Sequence, residues 1–236
     1  MCYPIQSAAP AVNRPVLLYY ITDRRQFAGT PKEQEQRLLE KIRECSSAGV
    51  DYIQLREKDL STRALEQLAA KTMAALPSGS ATKLLINSRI DVALACGAHG
   101  VHLPGNYLSA GEARAIFSRA GKSHAIICVS THSAAEVACA ESQGADFAVF
   151  GPVFEKNGVA NPGGLQQLAV FAHRQDPAAQ TMPVLALGGI NIANAAQCIA
   201  AGAAGVAAIR MFQENEATEI VKKLRQLRTA KNLAGA

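Results

Sequence analysis

The chain has 236 residues, of which 49% are hydrophobic, only 5% aromatic and none tryptophan, so Ala, Val, Leu and Ile must build the core of one large domain. A net charge of +5 is too mild to mark a nucleic-acid binder, and no apolar run reaches the ~18 residues of a membrane span. The opening residues lack the charged start and apolar centre of a secretory signal, and the six cysteines form no close CxxC pair, which gives the expectation of a cytoplasmic protein with reduced, mostly buried thiols.

Residues 1–15 contain three prolines and no hydrophobic periodicity, which predicts an arm lying loosely against the domain or covering one end of it. Beyond them, β-rich runs at 16–22, 52–57, 83–87, 100–104, 125–130, 147–153, 183–189 and 205–211 give eight strand candidates. Between these, the stretches 32–48, 61–76, 109–119, 134–143 and 192–201 carry apolar residues at helical spacing. Gly49, Gly97, Gly144 and Gly202 each close a helix just before a strand, where a residue of positive φ is wanted. Eight strand–helix units without a hairpin signal predict an α/β fold, a single (β/α)8 TIM barrel over residues 16–236. Lys222, Lys223, Arg225, Arg228 and Lys231 read as the solvated face of the last helix, where cations complement the dipole, rather than as a nucleic-acid surface.

In such barrels the reacting groups sit at the C-terminal ends of the strands. Strand two ends in Gln54-Leu55-Arg56-Glu57-Lys58, and alternation sends Gln54, Arg56 and Lys58 to one side and Leu55 and Glu57 to the other. A glutamine and two cations on one side suit an anionic or heteroaromatic ligand. Strand three ends at Asn87-Ser88-Arg89 and strand four at His102-Leu103-Pro104, which adds Asn87 and His102 to the candidate substrate-binding set. Strand five ends in Ser130-Thr131-His132-Ser133, where His132 is the candidate acid–base group, because imidazole exchanges protons near neutrality. Ser133 fits a helix N-cap, with Glu136 three residues on completing a capping box. Gly163-Gly164, Gly188-Gly189 and Ile209-Arg210, after strands six, seven and eight, predict a phosphate cradle of backbone N–H groups.

Taken in order, these residues resemble the thiamine phosphate synthase and TenI superfamily. The resemblance runs through Tyr20-Ile21-Thr22-Asp23, residues 54–58, 87–91 and 100–103, Ser130, Gly151-Pro152-Val153-Phe154, Gly163-Gly164 and residues 186–190, nearly the whole chain. It implies one of two activities. The synthase branch joins hydroxymethylpyrimidine pyrophosphate to thiazole phosphate, with Mg²⁺ held by two aspartates. At those positions this chain has Ser88 and Tyr107, and a hard dication deprived of both anionic oxygens binds weakly. The synthase's Thr-x-Thr-Lys is also replaced, by Glu155-Lys156-Asn157-Gly158-Val159, with Lys156 out of register.

The tautomerase branch, TenI, is similar to this chain where the synthases differ, with Leu-Pro after strand four and Ser-x-His-Ser after strand five, here Leu103-Pro104 and Ser130-Thr131-His132-Ser133. That likeness implies an isomerase aromatising a thiazole carboxylate phosphate by a proton shift, with His132 as acid–base group and Ser130 orienting the carboxylate. Its phosphate would rest near Gly164, Gly189, Ile209 and Arg210, without metal or other cofactor. The complete Gln54, Arg56 and Lys58 set keeps a Mg²⁺-dependent synthase open as the alternative, and a retained cradle without metal ligands also fits a non-catalytic thiamine phosphate sensor. The expected partner is a small phosphorylated thiazole- or thiamine-like ligand, with homo-oligomerisation left open. The loop 155–162, containing glycine and asparagine, reads as a lid.

Overall fold

The computed structural model describes residues 15–155, 162–173 and 182–227. Of the arm expected over residues 1–15, only Pro15 lies within these, and positions 156–161 of the expected lid lie outside them. Eight parallel strands close in chain order into a barrel: β1 (Leu17–Ile21), β2 (Tyr52–Leu55), β3 (Lys83–Asn87), β4 (Gly100–Leu103), β5 (Ile126–Thr131), β6 (Phe147–Phe150), β7 (Val184–Leu187) and β8 (Gly205–Ala208). The expected TIM barrel is therefore present. A 3-10 turn, Arg24–Gln26, follows β1.

The covering helices are α1 (Pro31–Ser47), α2 (Thr62–Ala75), α3 (Ile90–Cys96), α4 (Ala110–Arg119), α5 (Ala134–Ser142), α6 (Pro162–His173), α7 (Ala195–Ala200), α8 (Arg210–Gln213) and α9 (Ala217–Arg225). Local chemistry sets their ends. Thr30 caps α1 with Glu33 in a reciprocal box and Pro31 in the first turn, and Ser109 with Glu112 does the same for α4. The four helix-closing glycines foreseen at the helix-to-strand joints all have positive φ, from +69° to +100°. Several strands are shorter than the β-rich runs implied. The run 205–211 ends early because β8 pairs with β1 only as far as Ala208 opposite Tyr20, after which Arg210 opens α8.

Alternation along the strands sorts the core into two shells. Tyr19, Ile21, Leu85, Cys128, Phe147, Val149, Leu185 and Ala207 fill the barrel, with the Tyr19 ring edge-on to Tyr52 and Phe147 at 5.9 and 5.5 Å between centroids. Leu18, Tyr20, Ile53, Leu55, Leu84 and Ile86 face outward and bury the apolar sides of the helices, among them Leu38, Ile42, Leu68 and Phe117. Each such side chain, fully buried, contributes about 1.5–3 kcal/mol relative to exposure.

Cys45, Cys128 and Cys198 are buried thiols, as expected, whereas Cys139 is exposed. One expectation fails at the end of the chain. Arg225 does not belong to a solvated face: its guanidinium binds the carbonyls of Val16 and Gly49 and the Asp51 carboxylate, tying α9 to the barrel floor. Lys222 and Lys223 are exposed, and Arg228 and Lys231 lie outside the described residues. Among the described residues no helix is long and apolar enough to cross a membrane.

Candidate functional site

Parallel register places every second residue of each strand inside the barrel, so the inward positions nearest the C-terminal ends converge. Ile21 pairs with Gln54, Asn87 with His102, and His102 with Cys128, two residues before Ser130. Around this ring opens a cleft of about 840 Å³ lined by Gln54, Arg56, Lys58, Asn87, His102, Ser130, His132 and Ile209, together with Ile21, Ser88, Pro104, Gly105, Asn106, Glu136 and Leu187. Eight candidates from five strand ends thus share one space. As alternation required, Leu55 joins the outer core and Glu57 turns away from the cleft.

One wall is cationic and is held from behind. Gln54 donates to Asn87 Oδ1 at 2.9 Å, and Asn87 donates to Ser88 Oγ at 3.0 Å. The backbone N–H of Arg56 donates to Thr22 Oγ1 at 3.0 Å, and the same hydroxyl donates to Glu57 at 2.6 Å. Glu57 also accepts from the Arg24 backbone N–H and, at 2.9 Å, from its guanidinium, which in turn grips Asp59 at 2.8 and 2.7 Å. The Asp59 hydrogen bonds hold Arg24 firmly protonated, while burial pushes the Glu57 carboxyl up against the pull of its donors. Neither Tyr20-Ile21-Thr22-Asp23 nor residues 54–58 shows this clamp alone, because its halves are 33 residues apart.

The neighbouring wall, reached through Asn87, is neutral. His102 is 3% exposed, with Nδ1 3.0 Å from the Tyr19 hydroxyl and Nε2 2.7 Å from Ser130 Oγ. Burial, helped by the charge of Arg56, drives the imidazole pKa down to about 3, so the ring is uncharged at neutral pH. Both ring nitrogens are occupied by protein, which makes His102 a support for Ser130 more than a ligand contact. Tyr19 escaped the sequence reading, since an inward tyrosine on β1 is indistinguishable from core without knowing what lies across the barrel.

His132 is exposed and lines the cleft, with Nδ1 2.5 Å from the Gly151 carbonyl. A carbonyl can only accept, so Nδ1 carries the proton of the neutral ring and Nε2 keeps a lone pair. The capping box expected at Ser133 forms by half. Ser133 Oγ accepts from the Glu136 N–H at 3.2 Å, but the Glu136 carboxylate reaches past the N-cap N–H to that of His132 at 2.8 Å, bracing the segment that carries the imidazole.

At the glycines of the expected phosphate cradle, backbones come close together. Gly188 and Gly189 have φ of +97° and +60°, and a Cβ on Gly189 would stand 2.1 Å from the Glu155 carbonyl oxygen. A Cβ on Gly164 would stand 2.5 Å from that of Val153. These residues let the backbones after β6 and β7 touch. Of the six cradle candidates Ile209 lines the cleft, and Gly163, Gly164, Gly188, Gly189 and Arg210 are not among its lining residues.

A family model described as thiamine monophosphate synthase matches residues 18–212. The chain belongs to this family. It is 43% identical over 195 residues to the protein of Geobacter sulfurreducens named "Putative thiamine-phosphate synthase", spanning 81% of this chain and 84% of that one. It is 35% identical over 209 residues to the thiamine-phosphate synthase of Methanoculleus marisnigri, spanning 88% and 93%. The solved thiamine phosphate pyrophosphorylase from Pyrococcus furiosus superposes with a TM-score of 0.72 at 28% identity, over 93% of this chain and 98% of that one. The thiamine monophosphate synthase family is the level at which these matches place the chain.

The Mg²⁺ implied by the synthase branch can be tested against the donors. Among the described residues no three His, Cys, Asp or Glu side chains gather as a metal site. The carboxylate that lines the cleft, Glu136, already accepts from the His132 N–H and the Ser133 hydroxyl. Ser88, at φ +62°, turns its N–H to the His102 carbonyl and its hydroxyl to Asn87. One carboxylate and one hydroxyl, both already engaged by protein donors, do not fit a tightly held hard dication.

Proposed function

We propose that the protein is an isomerase of thiamine biosynthesis that aromatises a phosphorylated thiazole carboxylate by moving one proton through His132. The observation that carries this reading is the His132–Gly151 hydrogen bond, which fixes the tautomer and leaves Nε2 as the base on the cleft wall. Nε2 takes a proton from a ring carbon, and the imidazolium returns it to another carbon of the same conjugated system, so the composition of the substrate is unchanged. Arg56 and Lys58 supply positive charge for phosphate or carboxylate, and Ser130 orients the carboxylate. No step calls for a metal or another cofactor.

A second reading has its own support. The names of the relatives favour coupling of hydroxymethylpyrimidine pyrophosphate to thiazole phosphate over proton transfer, and the unbroken set Gln54, Arg56 and Lys58 on one wall suits a pyrophosphate. The two are separated by assaying purified protein on each substrate set, with Mg²⁺ and with chelator. Aromatisation is expected to survive chelation and to lose a factor of about 10²–10⁴ in kcat in His132→Asn. Mg²⁺-dependent coupling without aromatisation would overturn the proposal, and ligand binding without either turnover would point to a sensor.

A further inference from the structure

The Tyr19, His102 and Ser130 side chains form a chain from the barrel interior to the cleft, and the order of its protons can be worked out. Tyr19 is fully buried, its hydroxyl is 3.0 Å from His102 Nδ1, and the buried Cys128 thiol lies near it. A thiol sulfur is a weak acceptor and an imidazole nitrogen a strong one, so the phenol O–H goes to Nδ1. A neutral imidazole that accepts at Nδ1 carries its proton on Nε2 and donates it to Ser130 Oγ, 2.7 Å away. The Ser130 hydroxyl, having accepted, has its own proton left for the cleft. The reverse order would leave a buried phenol with only sulfur to donate to.

We infer that Tyr19 and His102 are positioning residues that fix Ser130 as a hydrogen-bond donor toward the ligand, so that this corner of the cleft selects an acceptor oxygen, carboxylate or phosphoryl, over an N–H group. Arg56 and Lys58 on the same cleft add the positive charge that such an oxygen wants. The inference holds for either reaction considered above. It goes beyond them, because it assigns a polarity to the site and roles to two residues that need not touch the ligand.

The direct test is the long-range ¹H–¹⁵N spectrum of wild-type protein labelled at histidine, with His102 assigned through His102→Gln or, if that variant does not fold, by elimination using His99→Asn, His124→Asn, His132→Asn and His173→Asn. A neutral ring protonated at Nε2 is expected. Protonation at Nδ1, or a mixture of tautomers, overturns the inference. The second arm is a double-mutant cycle read by calorimetric binding of thiazole carboxylate phosphate, which needs no turnover. Tyr19→Phe is expected to weaken binding about tenfold in the wild-type background and not at all in Ser130→Ala. An equal loss in both backgrounds makes Tyr19 merely structural and also overturns the inference. Absence of aromatisation would sink the proposed reaction and leave both arms readable.

Discussion

At the mouth of β1 and β2 the protein buries an ionised cluster, and at the mouth of β4 and β5 it buries a neutral one. The first sets Arg24 against Glu57, with side chains 8% and 1% exposed, and uses Thr22 to pass the order on to the Arg56 backbone. The second sets Tyr19 against His102 and passes the order on to a single hydroxyl, Ser130. The difference follows from what each must present. A carboxylate directly against Arg56 and Lys58 would neutralise them, whereas the Glu57 charge is turned outward and used on Arg24. A charged imidazole beside Arg56 would suffer repulsion and desolvation together, so His102 stays neutral. Charge is thereby reserved for the ligand-facing side.

The largest break in this comparison is expected from Glu57→Gln. Removing one partner of a buried ion pair leaves the other charge desolvated, and the loss should be about 3 kcal/mol in urea unfolding, with a raised KM as Arg56 loses its support. A loss below about 1 kcal/mol would show that Asp59 alone suffices to hold Arg24.

Acid should discriminate between the clusters next. His102 has a folded pKa of about 3 against an unfolded value of about 6.5, so between these the unfolded chain binds more protons than the native one. Its contribution is complete above pH ~6.5 and drains as pH falls toward 3, on the order of 2–3 kcal/mol by pH 4.5. His102→Gln should be less stable at neutral pH and should flatten that slope. An unchanged slope would mean that other groups, His99 among them, govern the acid loss, since burial and Lys83 also depress its imidazole.

The reach of the sequence follows the distance over which each feature is written. Strands, helix-closing glycines and the inward side of residues 54–58 obey local periods of two or 3.6, and they were readable. The clamp and the relay join residues 33 and 83 positions apart, and Arg225 meets Asp51 across 174, so no local pattern announces them. Glycine was ambiguous in another way. Gly164 and Gly189 look alike whether or not a neighbouring backbone comes close, and only the position of Val153 and Glu155 shows that one does. His132 was visible by residue type and place, but the carbonyl that sets its tautomer belongs to Gly151, after the next strand.

The smallest effect sharpens the comparison most, because it concerns the same guanidinium. Asp59 accepts two hydrogen bonds from the Arg24 guanidinium and Glu57 only one, yet the Asp59 side chain is 38% exposed. Geometry alone would rank Asp59 the stronger partner. Solvent reverses the order: an exposed pair is screened, and its net worth is about 0–1 kcal/mol, whereas Glu57 has no water to fall back on. Arg24 holds the Asp59 carboxyl below its ordinary range, so whatever it contributes is present above pH ~4 and fades as pH falls through the lowered value. Asp59→Asn should therefore cost less than about 1 kcal/mol, and the cost should shrink further at 1 M salt, with KM almost unmoved. If Asp59→Asn matched Glu57→Gln in size and ignored salt, burial would not be what gives the β2 clamp its strength, and the contrast with the neutral relay would rest on hydrogen-bond geometry instead.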